Sequence, residues 1–329
     1  MKNLQNKINL ANIPTKIEYM KRFSKKVGKN IYIKRDDETG SEISGNKVRK
    51  LEYVIKDALD KGCDTLITCG GIQSNHARAT AVAAAKLGLN AYLVLRKKPE
   101  DETKEGNYFI DNIIGAKIKL ITAEEYSNSR MEIMNALAED LRKEGLKPYV
   151  IPEGASDPIG TLGYFNAMEE IKEQEKELGI KFDMVVTAVG SGGTYAGLFM
   201  SDIVDNSISR VYGVNVCDDA EYFKNKAYEF VNGTKEIADM ELKVSKEQMN
   251  IIDGYVGVGY AKSTKEELDF IHELAKMEGI ILDPVYTGKA MFGLVNEIEK
   301  GSFKEVQNIL FVHTGGLFGL FPKESLFEF

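Results

Sequence analysis

What most constrains this chain is a recurring unit. A short apolar strand runs into a turn of glycines and hydroxyl or amide side chains, and a helix follows at once. Thr65-Leu66-Ile67-Thr68-Cys69 leads into Gly70-Gly71-Ile72-Gln73-Ser74-Asn75-His76 and then an alanine-rich helix through Ala79, Val82, Ala83 and Leu87. A strongly apolar strand, 184–189, leads into Gly190-Ser191-Gly192-Gly193-Thr194 and a helix through Ala196, Leu198, Phe199 and Ile203. Strands apolar on both faces belong to buried parallel sheets. Strand and helix alternate onward from 91–95 through 107–114, 117–121 and 124–142. After a strand at 149–152, the pattern resumes with a helix at 160–178 and a strand at 211–216, and it closes on Ile309-Leu310-Phe311-Val312. The expected class is α/β, with open twisted layers and mostly parallel sheets. The 329 residues suffice for two domains. Residues 220–249 read as helical throughout. Ser263 and Glu266 read as a capping box for the helix through Leu268, Ile271 and Leu274.

Charge excludes some partners. Lys plus Arg is 43 and Asp plus Glu is 50, a formal net charge of −7, with no basic run interleaved with aromatics. Nucleic acid and anionic membrane surfaces are therefore not expected partners. Cys63, Cys69 and Cys217 form neither a disulfide framework nor a zinc spacing, so a reducing cytoplasm is the expected compartment and no metal is expected. Residues 1–13 are polar and mixed, and no stretch reaches the length of a membrane span.

In open α/β sheets, ligands collect beyond the carboxyl ends of the strands. The loop Gly190-Ser191-Gly192-Gly193-Thr194 stands at such an end. Glycines let backbone N–H groups close on a phosphate, and Ser191 and Thr194 add hydroxyls. It lacks the Gly-Lys-Ser/Thr of a nucleotide loop and the spacing of a dinucleotide fingerprint. Ser74-Asn75-His76 opens a helix and offers free amides to a carboxylate. Lys47 follows Gly45-Asn46 at the start of a helix whose stripe is Val48, Leu51, Val54, Ile55 and Ala58. The helix dipole disfavours a cation there, and a lysine pushed toward its neutral amine can form a Schiff base. Lys50, three residues on, shares nearly the same face. Each feature also has a plain reading: a solvated lysine, a tight turn, an ordinary N-cap. His272 reads as structural, His313 as a core histidine and Cys69 as a small buried residue. No Gly-x-Ser-x-Gly elbow supports a hydrolase.

Together these runs resemble the D-cysteine desulfhydrase and 1-aminocyclopropane-1-carboxylate (ACC) deaminase family, within the tryptophan-synthase-β-like, fold type II pyridoxal phosphate enzymes. The likeness spans nearly the whole chain. It rests on Ile31-Tyr32-Ile33-Lys34-Arg35-Asp36-Asp37, Gly45-Asn46-Lys47 with Arg49-Lys50-Leu51-Glu52, Gly71-Ile72-Gln73-Ser74-Asn75-His76, Asp283-Pro284-Val285-Tyr286-Thr287-Gly288-Lys289 and His313-Thr314-Gly315-Gly316. The resemblance implies a homodimer whose chain has a large domain, 1–43 with 158–329, and a small one, 44–157, with pyridoxal 5'-phosphate in the cleft between them. It implies that Lys47 carries the cofactor and that Asn75 meets the ring oxygen. Gly190, Ser191, Gly192, Gly193 and Thr194 would hold the phosphate. Ser74, Asn75 and His76 would take the substrate carboxylate, and Tyr260 and Tyr286 would line the substrate side, with Lys47, Ser74 and the two tyrosines catalytic.

Two positions separate the members of this family. ACC deaminases carry Glu after the Asp-Pro-Val-Tyr tyrosine and Leu before the last Gly-Gly, whereas the desulfhydrases carry Thr at both. This chain has Thr287 and Thr314, and His76 where the deaminases tend to have Gln. A carboxylate beside the pyridine nitrogen keeps it protonated and the ring a strong electron sink. Hydroxyls leave a weaker sink, which suits loss of a good leaving group. The resemblance therefore implies elimination of sulfide from D-cysteine, giving pyruvate and ammonia. The alternatives are ACC deamination and lyase action on L-cysteine, cysteate or β-chloroalanine. A binding module without catalysis is the reading from another class, and it requires a colourless protein. Gly259-Tyr260-Ala261-Lys262-Ser263 departs from the family's Gly-Tyr-Gly, so Lys262 is expected to add charge near the substrate.

Overall fold

The computed structural model describes residues 4–97, 105–206 and 208–328. The chain opens with β1 (Ile17–Tyr19), α1 (Lys21–Val27) and β2 (Asn30–Lys34). Helix α2 (Asn46–Asp60) leads to β3 (Thr65–Gly71), α3 (Asn75–Lys86), β4 (Asn90–Arg96), α4 (Gly106–Ile113), β5 (Lys117–Ile121), α5 (Ala123–Lys143) and β6 (Pro148–Val150). Helix α6 (Pro158–Leu178) precedes β7 (Met184–Val189), α7 (Gly193–Asp205), β8 (Val211–Asn215), α8 (Ala220–Ala238) and β9 (Asn250–Ile252). Helices α9 (Lys265–Glu278) and α10 (Thr287–Glu299), strand β10 (Asn308–Val312) and the short α11 (Leu317–Leu320) complete the path.

The strands make two sheets among the described residues. One has six strands in the order β1-β2-β10-β7-β8-β9, and the other four in the order β5-β4-β3-β6. Only the β1–β2 pair is antiparallel. The expected α/β class with mostly parallel sheets is therefore what the chain forms.

The apolar strands explain the layering. In β7, Val185 and Val189 face α6, α7 and α8, while Met184, Val186 and Ala188 face α9 and α10. In β10, Leu310 and Val312 take the first side, Ile309 and Phe311 the second. Each such side chain contributes about 1.5–3 kcal/mol on burial, so a register slip of one residue would exchange the two cores. The smaller sheet repeats the scheme: Leu66 packs with α2 and α3, and Ile67 and Cys69 pack with Met134, Ala138 and Leu141 of α5. No described helix is long and apolar enough to cross a membrane.

Two local expectations are corrected. Helix α8 stops at Ala238, where Asp239 turns left-handed with φ 50°, so 239–249 is not helical apart from a short 3-10 turn. The capping box sits one residue later than read. Thr264 and Glu267 form it, and Ser263 donates instead to the Pro284 carbonyl.

A buried ionic cluster ties β2, α2 and α6 together. Arg49 donates from Nε and Nη2 to the Asp36 carboxylate at 2.8 Å each, and from Nη1 to Glu170 at 2.9 Å. Lys34 donates to Glu170 and to the Thr15 carbonyl, and Tyr164 donates to Asp36. Burial alone would raise the Asp36 carboxyl, but Arg49 and Lys34 outweigh it and hold it down to about 2. Glu170 is also depressed: burial opposes this, but Arg49 and Lys34 prevail. A folded-state pKa below the unfolded value near 3.9 stabilises the fold above that pH, and the contribution is lost as pH falls toward about 2. Asp36→Asn should therefore cost about 3–5 kcal/mol at pH 7, because Arg49 stays buried with half its counter-charge gone. Urea unfolding at pH 7 measures this, and the gap between variant and parent should narrow below pH 4.

Candidate active site

A cavity of about 870 Å³ lies where the carboxyl ends of β3, β4, β6, β7, β8 and β10 face one another across the two sheets. Lys47, Ser74, Asn75, His76, Gly190, Ser191, Gly192, Thr194, Tyr260, Tyr286 and Thr314 all line it. The structure thus gathers residues from both ends of the sequence. Gly193 sits just behind, and Thr287 does not reach the cavity.

Lys47 is the second residue of α2, and the turn before it fits only glycine. Gly45 has φ 91°, and a Cβ there would lie 2.7 Å from the Thr314 carbonyl. That carbonyl accepts from the Asn46 amide at 3.1 Å, and the Asn46 side chain donates to Thr194 Oγ1 at 2.9 Å. The start of α2 is therefore pinned to β10 and to the glycine loop. Burial pushes the Lys47 amine down to about 8. Lys50 does not line the cavity. It is fully buried and donates to Ser156 Oγ at 3.0 Å, and burial with the nearby Lys47 pushes its amine well below the ordinary range.

Ser156 Oγ in turn lies 2.8 Å from Ser191 Oγ, so a buried amine reaches the glycine loop through two hydroxyls. Gly192, with φ 88°, caps α7, whose first-turn amides have no acceptor within the helix. A Cβ on Gly193 would sit 2.8 Å from Ser156 Oγ, and one on Gly190 would sit 2.9 Å from a Tyr286 ring carbon. Free amides, bare backbone and a buried amine behind them suit a phosphate dianion.

At the turn after β3, Ser74 Oγ accepts from the Ala77 amide, so its own proton remains available. Asn75 is oriented from behind. Arg78 can only donate, and it donates from Nε to Asn107 Oδ1 at 2.8 Å. The Asn107 amide nitrogen then donates to Asn75 Oδ1 at 3.0 Å, which leaves the Asn75 NH₂ for an acceptor in the cleft. The His76 ring turns inward. Thr68 gives its proton to the Ile151 carbonyl and so accepts from His76 Nε2 at 2.7 Å. Burial first, then Lys47 and Lys50, push its pKa well down, so the ring is neutral and Nδ1 has no partner among the described residues. His76 offers the cleft its backbone amide rather than a charged ring.

Tyr260 and Tyr286 meet hydroxyl to hydroxyl at 2.5 Å, with their rings edge to face. Burial raises Tyr260 to about 12 and, with Tyr260 beside it, Tyr286 well above the usual phenol range. Both are protonated donors at neutral pH. The Thr287 hydroxyl is committed to Asp283 Oδ1 at 2.8 Å, in a cap that also receives the amides of Val285, Tyr286 and Thr287. Of the two threonines, Thr314 is the one that lines the cavity. Lys262 is exposed and does not line the cavity, so its charge does not enter the site as expected. His313 is buried and satisfied: Nδ1 accepts from the Gly315 amide and Nε2 lies 3.1 Å from the Ile281 carbonyl.

Several lining residues were not legible as candidates: Arg96, Tyr126, Arg130, Glu153 and Cys217. Arg96 had a positional signal, since it ends a parallel strand. Asn107 had none, because its role exists only once α4 packs against α3.

The family model for pyridoxal-phosphate dependent enzymes matches residues 8–315. A bifunctional D-cysteine desulfhydrase/ACC deaminase of Arabidopsis thaliana mitochondria is 46% identical over 96% of this chain and 79% of its own length. A protein of Pyrococcus abyssi, provisionally named ACC deaminase, is 44% identical over 96% of this chain and 93% of its own. The solved structure of an ACC deaminase homologue superposes with a TM-score of 0.87 at 41% identity, covering 97% of this chain and 95% of that one. A threonine deaminase isoform from Solanum lycopersicum shares the fold, at TM-score 0.64 and 19% identity, covering 95% of this chain and 86% of that one.

Asn107→Asp tests the relay behind Asn75. A carboxylate cannot donate to Asn75 Oδ1, so the Asn75 amide should turn over and present oxygen to the cleft. Titration of the purified protein with pyridoxal phosphate, followed by absorbance, should show binding weakened by about 3- to 10-fold, the worth of one hydrogen bond. Unchanged binding would show that Asn75 is set by something else.

Proposed function

The chain belongs to the pyridoxal-phosphate-dependent enzyme family, and from that premise we propose that it eliminates sulfide from D-cysteine, releasing pyruvate and ammonia. The enzyme type is that of the ACC deaminases and D-cysteine desulfhydrases, with pyridoxal phosphate as cofactor. The choice of D-cysteine and the residue roles below are our reading. We also read the two sheets as two domains, 44–157 and the remainder.

The cavity's chemistry fits the cofactor. The glycine cradle and the amides opening α7 suit its phosphate, Asn75 NH₂ suits its ring oxygen, and Lys47 is the amine that would bind it covalently. When bound, pyridoxal phosphate supplies an electron sink for charge developing on a substrate's α-carbon. The chain's own side chains supply the rest. Ser74 Oγ–H and the amides of Asn75 and His76 would hold the substrate carboxylate at the start of α3. Lys47 Nζ, lowered to about 8, is neutral often enough to act as nucleophile and to accept a proton from the α-carbon. The Tyr260–Tyr286 pair shares one proton between its oxygens and has one left to give, which would go to departing sulfur.

One observation carries the choice of D-cysteine over ACC. The residue just after β10 that lines the cavity is Thr314, whose side chain carries no charge, and the nearby carboxylate of Asp283 is taken up by its own cap. A site without an acid at that end favours loss of a good leaving group over ring opening. The names of several relatives favour the second reading, ACC deamination. A paired assay decides between them, with sulfide and pyruvate read from D-cysteine and 2-oxobutanoate read from ACC. We expect kcat/KM for D-cysteine to exceed that for ACC by at least about 10-fold, a difference of roughly 1.4 kcal/mol at the transition state. Equal or reversed values would move the assignment to ACC.

A further inference from the structure

We infer that the cleft is built for amino acids bearing a negative charge on the β-substituent, such as a thiolate, sulfonate or carboxylate, and that Arg96 reads that charge. This rests on the reading that an amino acid binds with its carboxylate at the Ser74 turn.

Arg96 is the last residue of β4 and stands in register with Gly71, the last residue of β3. It is therefore beside the turn that carries Ser74 and Asn75. Its guanidinium lies 5.2 Å from the Tyr126 ring centroid and 5.8 Å from that of Tyr260. Tyr260 is on the far wall and is hydrogen-bonded to Tyr286. A substrate held by its carboxylate at Ser74, with its α-carbon toward Lys47, would send its β-substituent into the space these groups share. The aromatic faces hold the guanidinium as a cation and leave the N–H donors at its edge for an anion.

The pairing of the two arginines in the cavity supports an anionic guest. The other arginine in the cavity, Arg130, lies 5.3 Å from the same Tyr126 ring and has Glu153 at 3.8 Å. Its charge is compensated. No carboxylate of the described residues forms an ion pair with Arg96. A half-buried guanidinium with aromatic neighbours and no counter-ion among the described residues gains a charge-assisted hydrogen bond when the ligand brings the negative charge. The competing possibility is that Arg96 only braces the two walls through Tyr126 and Tyr260.

Binding to the cofactor-loaded enzyme separates these outcomes, read as the shift of the cofactor absorbance band. The ligands are cysteate and serine, each as D- and L-forms, which share a backbone and differ in charge at the β-position. The proteins are wild type, Arg96→Gln and Arg96→Lys. Wild type should bind cysteate about 10- to 100-fold more tightly than serine of the same hand, and added salt should erode that preference. Arg96→Gln should abolish the preference while moving serine less than about 3-fold, and Arg96→Lys should keep part of it. Equal binding of cysteate and serine by wild type overturns the inference. So does an Arg96→Gln variant that weakens both alike, which would make Arg96 a brace. If serine shifts the band and cysteate gains nothing, the lyase reading survives and only this inference falls. If no amino acid shifts the band, both fall together.

Discussion

The site depends on one close contact, the passage of Gly45 against the Thr314 carbonyl. It is where the segment leaving the six-stranded sheet crosses the end of β10 before starting α2. The distance leaves no room for a Cβ, and the φ of 91° would strain any other residue. Because Asn46 then bonds both the Thr314 carbonyl and the Thr194 hydroxyl, the first turn of α2 is fixed to β10 and to the glycine loop. Lys47 follows without freedom to choose another direction. A larger residue at 45 would displace the amine from the cleft without touching it.

Helix α2 divides its work by face. Arg49 is locked to Asp36 and Glu170, which anchors the helix against β2 and α6. Lys50 faces Ser156 and supports the glycine loop from behind. Lys47 alone of the three opens into the cavity. Three basic side chains within four residues are tolerated because each has a different environment. One has two carboxylates, one is pushed toward its neutral amine by burial, and one sits at a solvent-reached cleft with its pKa lowered to about 8. These surroundings separate Lys47 from Lys50, a rivalry that sequence spacing left open.

The α/β class was legible because its signal is local: strands apolar on both faces, such as 184–189, announce a two-faced parallel sheet. The glycine loop, the Ser74 turn and Lys47 were legible because each sits at a strand end or helix start where free amides are unavoidable. Side-chain direction was not. His76 and Thr287 belong to motifs that line the site, yet the ring of one is drawn to Thr68 and the hydroxyl of the other to Asp283. Those choices depend on partners 4 to 8 residues away and on which face of the turn is buried. Lys262 is exposed, and Ala261 before it adopts φ 60°, a left-handed turn that an alanine does not announce. Arg78 and Asn107 escaped notice because the chain of donors behind Asn75 exists only after α3 and α4 pack.

In the mechanism we propose, Lys47 is the amine that carries the cofactor and Lys50 serves the phosphate from behind. The direct measurement is borohydride reduction of the pyridoxal-phosphate-loaded protein followed by peptide mass mapping. The label should fall on a single residue, Lys47, with Lys50 unlabelled even at high cofactor excess. A label on Lys50, or on neither lysine in a protein that binds the cofactor, would contradict it.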